Sequence, residues 1–141
     1  MKITIDQLNE THMEAANEEG GRIRMDGSRS IGGIEGGFSP MQLLLAAAGG
    51  CSAIDIIGIL EKQKQELQDL QVEVKGNRQK KETYSEFTTI HLHYIFTGSL
   101  DKRKVERAIS LSLEKYCSVS KTLEKTADIT HSYEINSSPQ S

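Results

Sequence analysis

The chain has 141 residues, and its 17 basic and 20 acidic side chains give a formal net charge of −3. We predict one domain with its own core over residues 1–136, followed by a disordered tail over residues 137–141. The lack of a basic excess and of tryptophan argues against nucleic-acid binding, which needs positive charge and often aromatic stacking surfaces. The first residues, MKITIDQLNETH, lack the apolar segment of a secretory signal, so we predict a cytoplasmic protein.

Three short strands are predicted near the N-terminus, at Lys2–Ile5, Met13–Asn17 and Arg22–Met25. Polar and glycine-containing turns separate them. The next segment, DGSRSIGGIEGG over residues 26–37, is interpreted as a glycine-rich surface loop. It lacks the Gly-Lys-Ser/Thr ending of a phosphate-binding loop, so we do not expect it to bind a nucleotide.

A long apolar helix follows this loop. Ser39 is a typical N-cap residue, Pro40 suits the first helical position, and Gln42 completes a capping box with Ser39. The apolar pattern then predicts a helix as far as about Gln65.

Between Leu43 and Leu60 this helix is apolar on every side, and such a helix must be covered all round. One sheet covers only one side, so we predict a homodimer with the helix near its interface. The alternative is that the second helix and the N-terminal loop cover it within a monomer. Asp55 and several glycines interrupt the run, which argues against a membrane-spanning segment, and no membrane partner is predicted.

The second half predicts two strands, one around Val72 and Val74 and one over Thr88–Phe96, joined by a polar turn, GNRQKKETYSE. A second helix begins near Asp101, and a last strand covers Asp128–Ile135. The predicted core faces are Ile90, Leu92, Tyr94 and Phe96 on the strand, and Val105, Ile109, Leu113 and Cys117 on the helix. The order is therefore βββ-α-ββ-α-β, an α+β fold.

Cys51 and Cys117 are the only cysteines, one in each predicted helix. A free cysteine is most often a small buried apolar residue. The alternative is a redox pair, which is possible if the two Cα atoms come within about 7 Å. Asp55, one turn after Cys51, disfavours a thiolate, so a reactive Cys51 would need a cation from elsewhere in the fold or from a partner chain. The N-terminal candidates for that cation are Arg22, Arg24 and Arg29.

The histidines do not predict a metal site. His91 and His93 share one strand face and His131 lies on another strand, but their spacing matches no known ligand pattern. Histidines on a solvated strand face are the simpler interpretation. We therefore predict neither a cofactor nor a metal.

Two segments resemble the OsmC/Ohr family, the osmotically inducible and organic hydroperoxide resistance proteins. FSPMQLLLAAAGGCSAIDII is similar to the family's central-helix motif, and AISLSLEKYCSVSKTLEK followed by THSYEI resembles its second cysteine helix and last strand. The resemblance extends from Asp26 to Ile135. It implies an interlocked homodimer in which antiparallel sheets pack on two long central helices.

The resemblance also implies a two-cysteine, thiol-dependent peroxidase. Cys51 would be the peroxidatic cysteine that attacks the O–O bond of an organic hydroperoxide and becomes a sulfenic acid. Cys117 would be the resolving cysteine that forms a disulfide with it, and an external dithiol reductant would restore both thiols.

The chain departs from the family at two points. Where strongly active members carry a glutamate after Asn-Pro, this chain has Met41 after Ser39-Pro40, and the family's activating arginine matches no single residue. An alternative function is therefore an OsmC-like dimer that binds a small apolar ligand without efficient peroxidase activity. A third possibility is that the two cysteines are purely structural.

Overall fold

The computed structural model describes residues 1–137. It contains two compact units, one from Met1 to Leu44 and one from Leu45 onward. Its helices and strands are β1 Thr4–Asn9, β2 His12–Ala16, β3 Arg22–Met25, α1 Pro40–Lys62, β4 Glu66–Lys80, β5 Ser85–Ser99, α2 Lys102–Leu111, α3 Ser118–Leu123 and β6 Asp128–Asn136. The predicted α+β order is confirmed, except that the second helical region is divided. Of the predicted tail, residues 138–141 lie outside the described residues.

The first unit contains a three-stranded antiparallel sheet in the order β1-β2-β3. The prediction for β3 is correct, whereas β1 begins at Thr4 and continues to Asn9 instead of ending at Ile5. Its polar second half pairs with β2 as far as His12. Backbone pairing with β2 thus extends β1 beyond the residues that the side-chain pattern indicated.

The glycine-rich loop is held by the carboxylate of Asp26, which is only 4% exposed. This carboxylate accepts hydrogen bonds from Thr11 Oγ1 at 2.6 Å and from the backbone N–H groups of Gly27, Ile34 and Gly36 at 2.7, 2.9 and 3.1 Å. The Thr11 bond, followed by the backbone bonds, holds the pKa of Asp26 well below its usual range despite burial. The loop is therefore an ordered structure built around one charged group.

The N-terminus of α1 has the predicted capping box. The Ser39 N–H donates to Gln42 Oε1 at 2.8 Å, and the Gln42 N–H donates to Ser39 Oγ at 3.2 Å. The bonds satisfy two of the N–H groups that have no partner within the helix.

The C-terminus of α1 lies three residues before the predicted end at Gln65. Lys64 adopts a left-handed conformation with φ of 58°, and its N–H donates to Glu61 O at 3.0 Å. The N–H of Gln65 donates to Leu60 O at 2.9 Å. This pair of bonds is a Schellman motif, which usually has glycine at the position occupied here by Lys64. Without that glycine, no local residue pattern marks the end of the helix.

The second unit contains a mixed sheet in the order β4-β5-β6. Strands β4 and β5 are 15 residues each and antiparallel, and only Lys81–Tyr84 connects them. The predicted turn was too long, because cross-strand polar pairs such as Asn77 with Thr89 extend the hairpin. Strand β6 is parallel to β5, contrary to the all-antiparallel expectation. The helices between these two strands form the crossover that parallel pairing requires.

The core of the second unit lies on one face of this sheet. The predicted strand face is confirmed, since Ile90, Leu92, Tyr94 and Phe96 are all 0% exposed. Helix α1 approaches β4 closely at Gly49, where an added Cβ would lie 2.8 Å from Val74 Cγ2. At Gly50 an added Cβ would meet nothing within 4 Å. Only the first glycine of the pair is needed for tight packing.

The opposite side of α1 remains exposed. Ile54 is 73% and Ile57 is 45% exposed. By length and composition α1 is also long and apolar enough to cross a membrane. It is the one such helix among residues 1–137, and 28% of its apolar 18-residue window is buried.

Candidate active site

The two cysteines and Asp55 come together in the second unit. Cys51 Sγ, Cys117 Sγ and a carboxylate oxygen of Asp55 all lie within 4.8 Å of one another. Both thiols are free; Cys51 is half-buried and Cys117 is buried. The fold thus brings together two sulfurs that are 66 positions apart in the sequence. Within residues 1–137, this is the one group of three or more histidine, cysteine, aspartate or glutamate side chains that are close enough to hold a metal ion together.

Helix α1 positions two members of this cluster. Cys51 and Asp55 are four residues apart and therefore lie on the same side of the helix, one turn from each other. The buried side of α1, which includes Ser52 and Ile56, fixes the rotation of the helix. That rotation leaves Cys51 and Asp55 half-buried at the margin of the core.

Cys117 reaches the site from a break in the helix, whereas we predicted it inside a continuous helix. A π-helical turn, Ser112–Tyr116, follows α2, and the N–H of Cys117 donates to Ser112 O at 2.7 Å. Cys117 itself is extended, with φ of −73° and ψ of 99°. Such wide turns are rare and often lie at functional sites. No residue in this stretch predicts one, because π-helical turns lack a sequence signature comparable to a cap.

The Cys117 sulfur takes the place of an N-cap oxygen for α3. It accepts a hydrogen bond from the Ser120 N–H at 3.4 Å, and its S–H donates to Ser120 Oγ at 3.2 Å. Burial raises the pKa of Cys117, the bonds to Ser120 oppose this effect, and the neighbouring Cys51 adds to the rise. Cys117 is therefore a protonated thiol at neutral pH.

Three buried hydroxyl groups that are not among the predicted site residues surround the cluster. Ser112 Oγ donates to Asp55 Oδ2 at 3.0 Å, and Tyr94 OH donates to Ser52 Oγ at 2.8 Å. Burial raises the pKa of Tyr94 to about 12, with contributions in the same direction from the charges of Cys117 and Asp55. Ser52 directly follows Cys51, but the other two residues come from elements that the sequence could not place beside it.

A groove of about 610 Å³ opens beside Asp55. Its walls are mostly apolar and come from α1 and from the end of the α2 region, including Ile54, Ile59, Leu111 and Tyr116. Lys62 is also part of its lining. The groove gives a small, largely apolar molecule a place to bind next to the cluster.

The three candidate arginines are paired with acidic side chains of the first unit. Arg22 and Arg24 both lie near Glu14, at 2.7 and 3.7 Å, and Arg29 lies 3.3 Å from Glu35. All three arginine side chains are largely exposed. Activation of Cys51 by one of them stays a prediction.

Met41, the residue in place of the family's glutamate, is half-buried in the first turn of α1. It brings no charge to that turn.

The strand histidines form a polar cluster of their own. His91 bonds Thr130 Oγ1 at 2.7 Å and Ser132 Oγ at 2.8 Å, and His93 bonds the same Ser132 oxygen at 2.7 Å. His131 is exposed. These histidines lie outside the cysteine cluster.

A family model, described as OsmC-like protein, matches residues 32–132. The chain therefore belongs to the OsmC-like family, as its two cysteine motifs predicted.

Relatives and solved structures agree with this assignment. Protein YhfA of Escherichia coli K12 is 47% identical over 117 residues, covering 82% of this chain and 84% of YhfA. A hypothetical protein from Aquifex aeolicus VF5 has a TM-score of 0.85 at 28% identity, covering 98% of this chain and 97% of that one. The organic hydroperoxide resistance protein OsmC from Legionella pneumophila shares the fold, with a TM-score of 0.71 at 20% identity and coverage of 95% and 97%.

Proposed function

We propose that this protein is a cytoplasmic, thiol-dependent peroxidase that reduces organic hydroperoxides through Cys51 and Cys117. The observation that carries the proposal is the short distance between the two sulfurs, which lie within 4.8 Å of each other. Membership of a family that includes hydroperoxide resistance proteins supports the substrate class. A cytoplasmic location would keep both thiols reduced between turnovers.

The different burial of the two cysteines supports different roles. Cys51 is half-buried at the margin of the core, whereas Cys117 is 0% exposed. A hydroperoxide that enters from solvent would therefore reach Cys51 before Cys117. Cys51 is therefore the proposed peroxidatic cysteine and Cys117 the resolving one.

The proposed reaction has two steps at these sulfurs. The Cys51 thiolate attacks one oxygen of the hydroperoxide, the O–O bond breaks, and the sulfur keeps that oxygen as a sulfenic acid while the alkoxide takes up a proton. Cys117 then attacks the Cys51 sulfur; a disulfide forms, and hydroxide leaves with the Cys117 proton as water. An external dithiol reduces the disulfide by exchange and is itself oxidised.

Activation of Cys51 is proposed to need a positive charge, because the thiolate is the form that attacks and a nearby cation favours it. Arg22, Arg24 and Arg29 are the candidates. Replacing each by methionine in turn should identify the activating residue, which is the one whose loss slows oxidation of Cys51 without lowering thermal stability. If none of the three variants slows the reaction, the cation comes from another residue.

A homodimer is proposed because the outer side of α1 is apolar and exposed. Gly50, Ile54 and Ile57 recur at helical spacing on this side, and Ile54 is 73% exposed. A second copy of the chain would cover this stripe. Light scattering should report a dimer for the wild type and a monomer for Ile54→Asp. Tyr84→Asp, at a residue 61% exposed in the β4–β5 turn, is the control that should stay dimeric.

A second candidate function is binding of a small apolar ligand without efficient peroxidase activity. The groove of about 610 Å³ beside Asp55 favours it, and so does the absence of the family's glutamate at Met41. This function predicts ligand-induced thermal stabilisation together with slow, unselective oxidation of the thiols. A broad ligand screen without any shift in unfolding temperature would count against it.

The deciding experiment is a thiol count and intact-mass measurement on the reduced protein, before and after one equivalent of cumene hydroperoxide. Rapid loss of both thiols, with the mass decrease that corresponds to loss of two hydrogens, would support the peroxidase. Thiols that stay unchanged for minutes would contradict it and favour ligand binding.

A further inference from the structure

We propose that the reduced cluster of Cys51, Asp55 and Cys117 binds a divalent thiophilic cation, Zn²⁺. This inference goes beyond the peroxidase proposal, because metal binding needs neither a hydroperoxide nor an activated thiolate in the free protein. It is carried by the spacing of the three donor atoms, the charge of the site and the hydrogen bonds behind the ligands.

The spacing of the donors suits a tetrahedral ion. The two sulfurs and the carboxylate oxygen all lie within 4.8 Å of one another. Zinc bonds of about 2.3 Å to sulfur and about 2.0–2.2 Å to carboxylate oxygen put tetrahedral ligand atoms roughly 3.5–3.8 Å apart. Small side-chain rotations of the half-buried Cys51 and Asp55 would shorten the separations between the donor atoms to these values. Three protein ligands leave the fourth position to water, as in open zinc sites.

The charge of the site favours a cation. With both thiols ionised, the three ligands carry three negative charges. None of the ion pairs among residues 1–137 involves Asp55, so no side chain there neutralises its carboxylate through a salt bridge. A divalent ion would offset two of the three charges, which lowers the cost of keeping them together in a partly buried place.

Hydrogen bonds already orient two of the three ligand side chains. Ser112 Oγ donates to Asp55 Oδ2 at 3.0 Å, and the Ser120 N–H donates to the Cys117 sulfur at 3.4 Å. Outer bonds of this kind orient metal ligands and contribute to affinity. The N–H bond to sulfur is also directed at the atom that would carry charge as a thiolate.

Metal binding and disulfide formation would exclude each other, because both use the same two sulfurs. Binding of Zn²⁺ displaces one proton from each thiol. Oxidation of the two thiolates by a hydroperoxide, with uptake of two protons, yields the disulfide, an alcohol and water, and releases the ion. This consequence rests on the proposed peroxidase function, whereas binding itself does not.

The test is an anaerobic titration of the reduced full-length protein with Co²⁺ and Cd²⁺, followed by competition with Zn²⁺. We expect one ion per chain, a thiolate-to-metal charge-transfer band and the visible spectrum of tetrahedral Co²⁺. Cys51→Ser and Cys117→Ser should each remove most of the charge-transfer intensity, and Asp55→Asn should weaken binding by at least about tenfold. Circular dichroism would establish that each variant is folded.

The matched control is His91→Ala combined with His93→Ala, which removes the other group of potential ligands and should bind Co²⁺ like the wild type. Absence of a charge-transfer band in the wild type would overturn the inference. So would binding that survives in the Cys51 and Asp55 variants but is lost in the histidine control. A wild type that binds Cd²⁺ but resists cumene hydroperoxide would refute the peroxidase and leave the metal site standing; the reverse result would refute only the metal site.

Discussion

The buried Asp26 and the half-buried Asp55 have very different surroundings. In the first unit the Asp26 carboxylate accepts four hydrogen bonds from a side chain and three backbone N–H groups. In the second unit the Asp55 carboxylate accepts one bond, from Ser112, and faces two thiols. A carboxylate whose lone pairs are used by its own loop serves structure, whereas one with spare lone pairs beside two sulfurs is available for chemistry.

The largest expected effect concerns the thiols around Asp55. Replacing Cys51 by serine should reduce hydroperoxide turnover to the background of the uncatalysed reaction, because the attacking sulfur is gone. Replacing Cys117 by serine should leave one oxidation per chain but prevent formation of the intramolecular disulfide. A turnover assay coupled to a dithiol reductant measures the first effect, and intact mass measures the second. Turnover that persists in Cys51→Ser would contradict the assigned roles.

Replacing each aspartate by asparagine should affect a different property, stability for Asp26 and ion binding for Asp55. The pKa of Asp26 is depressed in the folded protein, so its contribution to stability is present above the unfolded pKa of about 3.9 and is lost as pH falls towards the folded value. Asp26→Asn should therefore unfold at a lower temperature at pH 7, and the difference from wild type should shrink below about pH 4. Thermal unfolding across pH measures this.

The reciprocal half of this experiment uses Co²⁺ binding. Asp26→Asn should bind the ion like the wild type, whereas Asp55→Asn should bind it at least about tenfold more weakly. If both variants lose stability and ion binding to the same degree, the distinction between a structural and a chemical aspartate is wrong.

The placement of Cys51 can be tested through the two glycines before it. Gly49→Ala should destabilise the fold by about 1–3 kcal/mol, because the new methyl group would overlap Val74 in a packed core. Gly50→Ala meets open space and should stabilise an isolated chain by up to about 1 kcal/mol through helix propensity. Urea unfolding of both variants measures the contrast. Equal effects would contradict close packing of α1 on β4 at Gly49.

The smallest expected effect concerns the pKa of Cys117. Burial raises this pKa, and the side-chain bond between Cys117 and Ser120 Oγ lowers it. Ser120→Ala should therefore raise the pKa further and shift the pH profile of Cys117 alkylation to higher pH. The measurement uses a Cys51→Ser background, so that only one thiol reacts. Ser118→Ala, at an exposed neighbour, is the control, and a shift to lower pH in the Ser120 variant would contradict the role of this bond.

Local signals predicted much of the chain correctly. The capping box placed the start of α1 because Ser39 and Gln42 are close in sequence and bond each other reciprocally. Alternating apolar residues predicted the inner face of β5, and Asp101 predicted the start of α2, where it accepts a bond from the Arg103 N–H at 2.8 Å. The two cysteine motifs predicted the family.

Tertiary structure alone decided the rest. The polar ends of β1, β4 and β5 are strands because a neighbour pairs with them, and β6 is parallel because of the crossover that precedes it. The bond of Tyr94 to Ser52 and the bond of Ser112 to Asp55 join residues 42 and 57 positions apart. The sequence by itself determined which residues carry reactive groups, since that is covalent chemistry. Only folding decided which of these groups meet, because through-space contacts between distant segments leave no local pattern.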